Sequence, residues 1–125
     1  MNLMNNLNDL NDLNNLNVFA KPIIKCSSDP LTGWHRNGFC YYDVKDHGNH
    51  LICGLVTNEF LDFTFKKGNN LKGLIKEGDF WCFCVNRWIE AYNYNPKIAP
   101  KIKLESTSIR VLSYISKELL LKYSI

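Results

Sequence analysis

The residues in this chain best equipped for chemistry are its cysteines, at positions 26, 40, 53, 82 and 84. Two of them stand one residue apart in an aromatic run, FWCFC at 80–84, with Arg87 and Trp88 close behind. Zinc needs about four Cys or His ligands in a tetrahedral array, usually offered as two close pairs. Here only Cys82 and Cys84 are close. The other gaps are 13, 12 and 28 residues. Cys26, Cys40, Cys82 and Cys84, with His50, would supply a zinc site only if the fold gathers them, and no cofactor is expected otherwise. A nucleophilic thiol needs a nearby histidine, cation or helix N-terminus. The candidate thiols are Cys26, which precedes a turn near His35 and Arg36, and Cys40. Cys84 precedes a helix start near Arg87. Against all of these stands simple packing, because a free cysteine behaves as a small hydrophobe and is often buried. Cys82 and Cys84, flanked by Phe80, Trp81 and Phe83, read first as core.

Disulfides are the remaining use. The cysteine count is odd, and residues 1–17 lack the basic start and continuous apolar stretch of a secretory signal. The expectation is a cytoplasmic protein with free thiols.

The charged residues offer a second site. Asp29, Arg36, Arg87 and Glu90 fall in turns or at helix starts beside Trp34 and Trp88. Arginine grips a carboxylate or phosphate with a planar fork and stacks on aromatic rings. Trp34, Arg36, Arg87, Glu90 and Asp29 would therefore line an anion pocket. The same residues also fit an internal bridge that pins a loop to the sheet. A further cluster, Asp43, Asp46, His47 and His50, reads as a solvated loop. No Gly-rich phosphate loop, Gly-x-Ser-x-Gly or His-Glu-x-x-His is present, which argues against the chemistries those motifs serve.

These residues must be placed by a single domain, since 125 residues with 46% hydrophobic and 22% charged side chains suit one globular core. Residues 1–17, MNLMNNLNDLNDLNNLN, form a low-complexity Asn/Leu tract and are expected to be a disordered tail before a domain over 18–125. No apolar run approaches the ~20 residues of a membrane span, so no membrane partner is expected. The net charge is +3 and the lysines are thinly spread. Nucleic-acid binders gather theirs into a patch, so the expected partner is a small molecule or a protein.

Asn37-Gly38 is a hairpin signal that predicts a strand over Phe39–Tyr42. His50–Val56 reads as a strand. Thr57 reads as the N-cap of a helix that Gly68 stops. Phe80–Val85 reads as a strand buried on both faces. Asn86 is expected to cap the next helix, which must end before Pro96. KIKLES at 101–106 alternates like a strand with one wet face. Ser116 caps a last short helix. The pattern predicts an α+β domain, a two-layer mixed β-sheet covered by helices.

The segments CSSDPLTGWHRNGFC, TNEFLDF, GNNL, GDFWCFCVNRWIEA and APKIKLEST together resemble a widespread family of small proteins known only as a domain of unknown function. The resemblance runs from about Val18 to Tyr123. It implies a two-layer α/β fold and brings no established activity. It falls on all five cysteines and on Asp29, Arg36, Asp46, His50, Arg87 and Glu90. Where the family carries Thr-His-Glu after its late strand, this chain has Thr107-Ser108-Ile109. The reading adopted is a small binding module for an anionic small molecule or a protein partner. The alternatives are a cysteine-dependent enzyme or redox protein, and a structural zinc domain.

Overall fold

The computed structural model describes residues 13–125. Its centre is an antiparallel pair, β1 (His50–Leu55) and β2 (Phe80–Cys84). Between them runs helix α1 (Asn58–Lys66), and after β2 come α2 (Val85–Tyr94) and α3 (Lys117–Lys122). Short 3₁₀ turns lie at Leu13–Asn15, Leu104–Ser106 and Ile109–Ser113. The fold is α+β, a small single domain with a two-stranded antiparallel sheet and three α-helices among the described residues.

Local chemistry sets these boundaries. The Thr57 hydroxyl accepts a hydrogen bond from the Phe60 N–H at 3.2 Å, which starts α1. Gly68, at φ +91°, follows its last turn in the left-handed conformation that glycine adopts without strain. The Ser116 hydroxyl caps α3 in the same way, accepting from Leu119 N–H at 3.1 Å. Asn86 does not cap α2. Cys84 occupies that position and its side chain makes no capping bond. The strand passes straight into the helix because Val85 N–H still donates to Asn49 O, at 3.1 Å, just before β1.

One face of the pair meets the helices. Leu51, Ile52, Trp81 and Phe83 join Phe60 and Phe63 of α1, Val85, Trp88 and Ala91 of α2, and Leu120 of α3 in the main core. The rings of Phe60 and Phe83 meet edge to face, 4.8 Å between centroids. Trp88 is fully buried, and its indole N–H donates to Pro100 O at 2.9 Å.

The wider mixed sheet is reduced to isolated bridges, Gly54 to Ile102 antiparallel and Ile102 to Ser124 parallel. KIKLES is thus no strand of its own. Lys101 O and Lys103 N–H bond to Leu55 N–H and Cys53 O of β1, and the chain then turns at Leu104. Phe39–Tyr42 is not a strand either. Gly38, at φ +93°, folds back on the preceding loop, its carbonyl accepting from Cys26 N–H and its N–H donating to Thr32 O. A side chain there would lie 2.7 Å from Ser27 O, so the Asn37-Gly38 turn closes a loop and opens no hairpin.

The tail expected over 1–17 lies outside the described residues as far as position 12. Leu13–Asn17 belong to the folded body. Leu16 bridges to Pro22 and Asn17 to Ser108, and Asn17 is buried.

Candidate functional site

The other face of the pair is built on sulfur. Cys26, Cys40, Cys53 and Cys82 form a second buried cluster with Phe80 against it. They are joined as two disulfides, Cys26–Cys53 and Cys40–Cys82. Cys84 is the free cysteine and is half-buried. The expectation of free thiols is therefore corrected for four of the five. It rested on the odd cysteine count and the composition of residues 1–17, while the fold brings these four cysteines together across wide gaps in sequence.

Two hydroxyls support the cluster. Cys82 N–H donates to the buried Thr32 Oγ1 at 2.9 Å, so Thr32 ties the Asp-Pro-Leu-Thr loop to the outer edge of β2. Cys53 N–H donates to Thr107 Oγ1 at 3.1 Å on the side of β1. The Cys26, Cys40 and Cys82 sulfurs lie within 4.8 Å of one another, a spacing that could hold a metal ion. As disulfides they have no thiolate to donate. Of the expected zinc ligands, Cys84 and His50 stand outside this group, and Cys53, which that set omitted, is bonded into it.

Beside the cluster lies a cavity of about 290 Å³, lined by Gly33, Trp34, Arg36, His50, Leu71, Leu74, Trp81 and Cys82. Trp34 and Arg36 both line this cavity. Arg36 stands at φ +52°, and one of its guanidinium nitrogens donates to Gly33 O at 3.1 Å. The guanidinium sits 5.1 Å from the centre of the Trp81 ring, within cation–π reach. Among the described residues no carboxylate lines the cavity, and none of the ion pairs includes Arg36.

Arg87 and Glu90 are not brought to this cavity. They face each other along α2 at 3.2 Å, and Arg87 also donates to Lys67 O at the end of α1. The ion pair is internal to α2 and the bond to Lys67 ties it to the end of α1; neither pins a loop to the sheet. Asp29 is also absent from the cavity wall.

The acidic and histidine loop resolves into two pairs. His35 faces Asp43 at 3.2 Å on the surface. His50 Nδ1 meets Asp46 Oδ1 at 2.8 Å, with the carboxylate buried. Asp46 also accepts from the backbone N–H groups of Gly48, at 3.2 Å, and His50, at 2.9 Å. A carboxylate fixed as an acceptor puts the hydrogen on Nδ1 and leaves Nε2 as the open lone pair. The sequence signal for this pair was the four-residue spacing within a Gly-containing loop.

A second cavity, about 410 Å³, is lined by Lys97, Lys101, Lys122, Tyr92 and Tyr123 among others. The Tyr123 hydroxyl donates to Pro96 O at 2.6 Å, and burial, then the neighbouring Tyr92, pushes its titration upward. No helix among the described residues is long and apolar enough to cross a membrane.

A small disulfide-bearing α+β domain with a basic, aromatic cavity is the class this geometry defines. The chain belongs to the family described as uncharacterised protein conserved in bacteria, DUF2237, which matches residues 16–124. No curated protein matches the chain.

Proposed function

We propose that the domain binds an anionic small molecule in the cavity beside β2, with Arg36 as the anion-reading group and Trp34 and Trp81 as its aromatic walls. The observation that carries this reading is an arginine held in a cavity without a carboxylate partner. Arg36 spends one hydrogen bond on a backbone carbonyl and keeps the rest of its fork free. Arg87 shows the contrast, since its charge is answered by Glu90. An arginine fork matched to a planar carboxylate or phosphate is the strong form of such recognition. The 290 Å³ cavity lies at the small end of ligand-pocket sizes, which suits a small anion carrying an apolar group.

The test is titration of the folded protein with benzoate and, separately, with inorganic phosphate, followed by the indole N–H resonances of Trp34 and Trp81. Saturable shifts are expected for wild type and none for Arg36→Ala. Equal shifts in both proteins would sink the reading.

The clustered sulfurs support a second reading. Once both disulfides are reduced, Cys26, Cys40, Cys53 and Cys82 would become four neighbouring thiols able to take a structural zinc ion. Native mass spectrometry of reduced protein supplied with zinc decides it. One bound zinc, lost in Cys53→Ser, is expected under this reading, and a bare mass would end it. Disulfides in a cytoplasmic protein are usually of the exchanging kind, so a cytoplasmic setting would favour a cluster that cycles between the two forms.

A further inference from the structure

The register of the strand pair brings together two residues that neither disulfide uses, His50 and Cys84. Side chains alternate along a strand, so His50 and Cys53, three apart, would ordinarily face opposite sides. The pairing slips between His50 and Ile52, where Leu51 is the extra residue of a bulge. Leu51 and Ile52 both enter the helix-covered core. His50 thereby returns to the face of Cys53 and Cys82 and lines a cavity with Cys82. Its partner directly across the pair is Cys84. Side chains of such partners leave the sheet together, with Cβ atoms about 4.5–5.5 Å apart. Cys84 is the free thiol, half-buried, and the His50 side chain is 38% exposed.

Buried Asp46 orients the His50 ring through Nδ1 and leaves Nε2 available. Gly48 makes room for that ring, because a Cβ there would stand 2.7 Å from His50 Cε1. Thiol, imidazole and buried carboxylate, in that order, are the parts of an activated cysteine nucleophile.

We propose that Cys84 and His50, positioned by Asp46 and Gly48, form a thiol site that attacks low-molecular-weight disulfides. The Cys84 thiol gives its proton to His50 Nε2, and its sulfur forms a bond to one sulfur of the substrate. The substrate's S–S bond breaks, and the departing sulfur takes the proton back from His50. Cys84 ends oxidised as a mixed disulfide, and half of the substrate leaves reduced as a thiol. This inference stands on the strand register and is independent of the anion reading.

The test uses uncharged dipyridyl disulfide, so that anion binding plays no part. Non-reduced protein is mixed with the reagent at neutral pH, and the released pyridinethione is followed by absorbance. One equivalent is expected per chain, and none from Cys84→Ser. The folded protein is expected to react at least about a hundredfold faster than the same chain in guanidinium, the modest end of general-base assistance. His50→Gln, at a partly exposed position, is expected to lose that advantage without a change in its circular dichroism. Gly48→Ala is expected to fall between the two, and Gly48→Ala with His50→Gln to be no slower than His50→Gln alone. A folded His50→Gln that reacts as fast as wild type would overturn the proposal. So would a wild type no faster than its unfolded chain.

Discussion

The two faces of the β1–β2 pair are held by different means. One is an aromatic and aliphatic core in which Phe83 meets Phe60 and α2 sets Trp88 alongside. The other is closed by two disulfides and two threonine hydroxyls over irregular loops. The contrast follows from what each side has to cover. Helices present continuous apolar stripes that pack on a sheet. The 18–40 segment has no α-helix or strand and must be fastened residue by residue. Stability on the first face comes from area removed from water, and on the second from restricting the unfolded chain.

Breaking the first face should cost most. Phe83→Ala removes a buried ring and an edge-to-face contact, and is expected to destabilise by about 3–5 kcal/mol. Urea unfolding followed by tryptophan fluorescence measures it. A loss below about 1 kcal/mol would mean that this face is not the packed core.

The second face should be close behind. The Cys40–Cys82 bridge spans 42 residues and Cys26–Cys53 spans 27. Closing loops of those lengths in the unfolded chain is worth about 3–4 kcal/mol each. Cys40→Ala with Cys82→Ala should therefore lower stability by that order in non-reducing buffer. Reductant opens both bridges, so under reductant the wild type should fall below that single-bridge variant. If reductant leaves the wild-type midpoint unmoved, the bridges do not hold this face.

The same division explains what could be read from the sequence. The helix-covered side was legible, because caps at Thr57 and Ser116 and the apolar run at 80–85 are local signals with local causes. The sulfur side was not. Asn37-Gly38 carries the right residues for a hairpin, but its glycine serves the Cys26 and Thr32 backbone. Five cysteines leave five choices of the free one and three pairings of the remaining four, and sequence alone does not choose among them. Cys53 was passed over because it sits alone in HLICGLV, with no close cysteine beside it. The relation of His50 to Cys84 depends on the extra residue at Leu51, and simple alternation predicts the opposite face. Of the expected pocket, Trp34 and Arg36 meet, while Arg87 and Glu90 satisfy each other on α2.

That last pair sharpens the comparison at the level of single arginines. Arg87→Ala breaks an ion pair whose two side chains are about a third exposed, and should cost less than about 1 kcal/mol. Arg36→Ala loses its contact with Trp81, worth about 0.5–1 kcal/mol for an exposed arginine. It also replaces a residue at positive φ that neither side chain favours. The two variants should therefore melt close together yet separate on benzoate titration, with binding kept in Arg87→Ala and lost in Arg36→Ala. Loss of binding in both would place the anion site elsewhere.

The smallest expected effect lies on the surface of the helical face. Asp62 of α1 meets Lys72 at 2.7 Å, which ties the loop after α1 back to its helix. The hydrogen bond from Lys72, then its charge, holds the Asp62 carboxyl below the usual aspartate range, with a smaller pull from Lys66. A depressed value in the folded state means that the folded protein releases this proton more readily than the unfolded chain does. The pair's contribution is complete above about pH 4, where an unfolded aspartate is ionised, and fades as the pH falls through the lower folded value. Asp62→Asn should thus lower the melting temperature slightly at pH 7 in low salt. The difference from wild type should narrow as the pH falls below about 4, and it should shrink in about 1 M salt, where the Debye length is ~3 Å and exposed charge pairs are weakened. A difference unchanged by both acid and salt would show that the side chain acts through packing at the α1 surface and not through its charge.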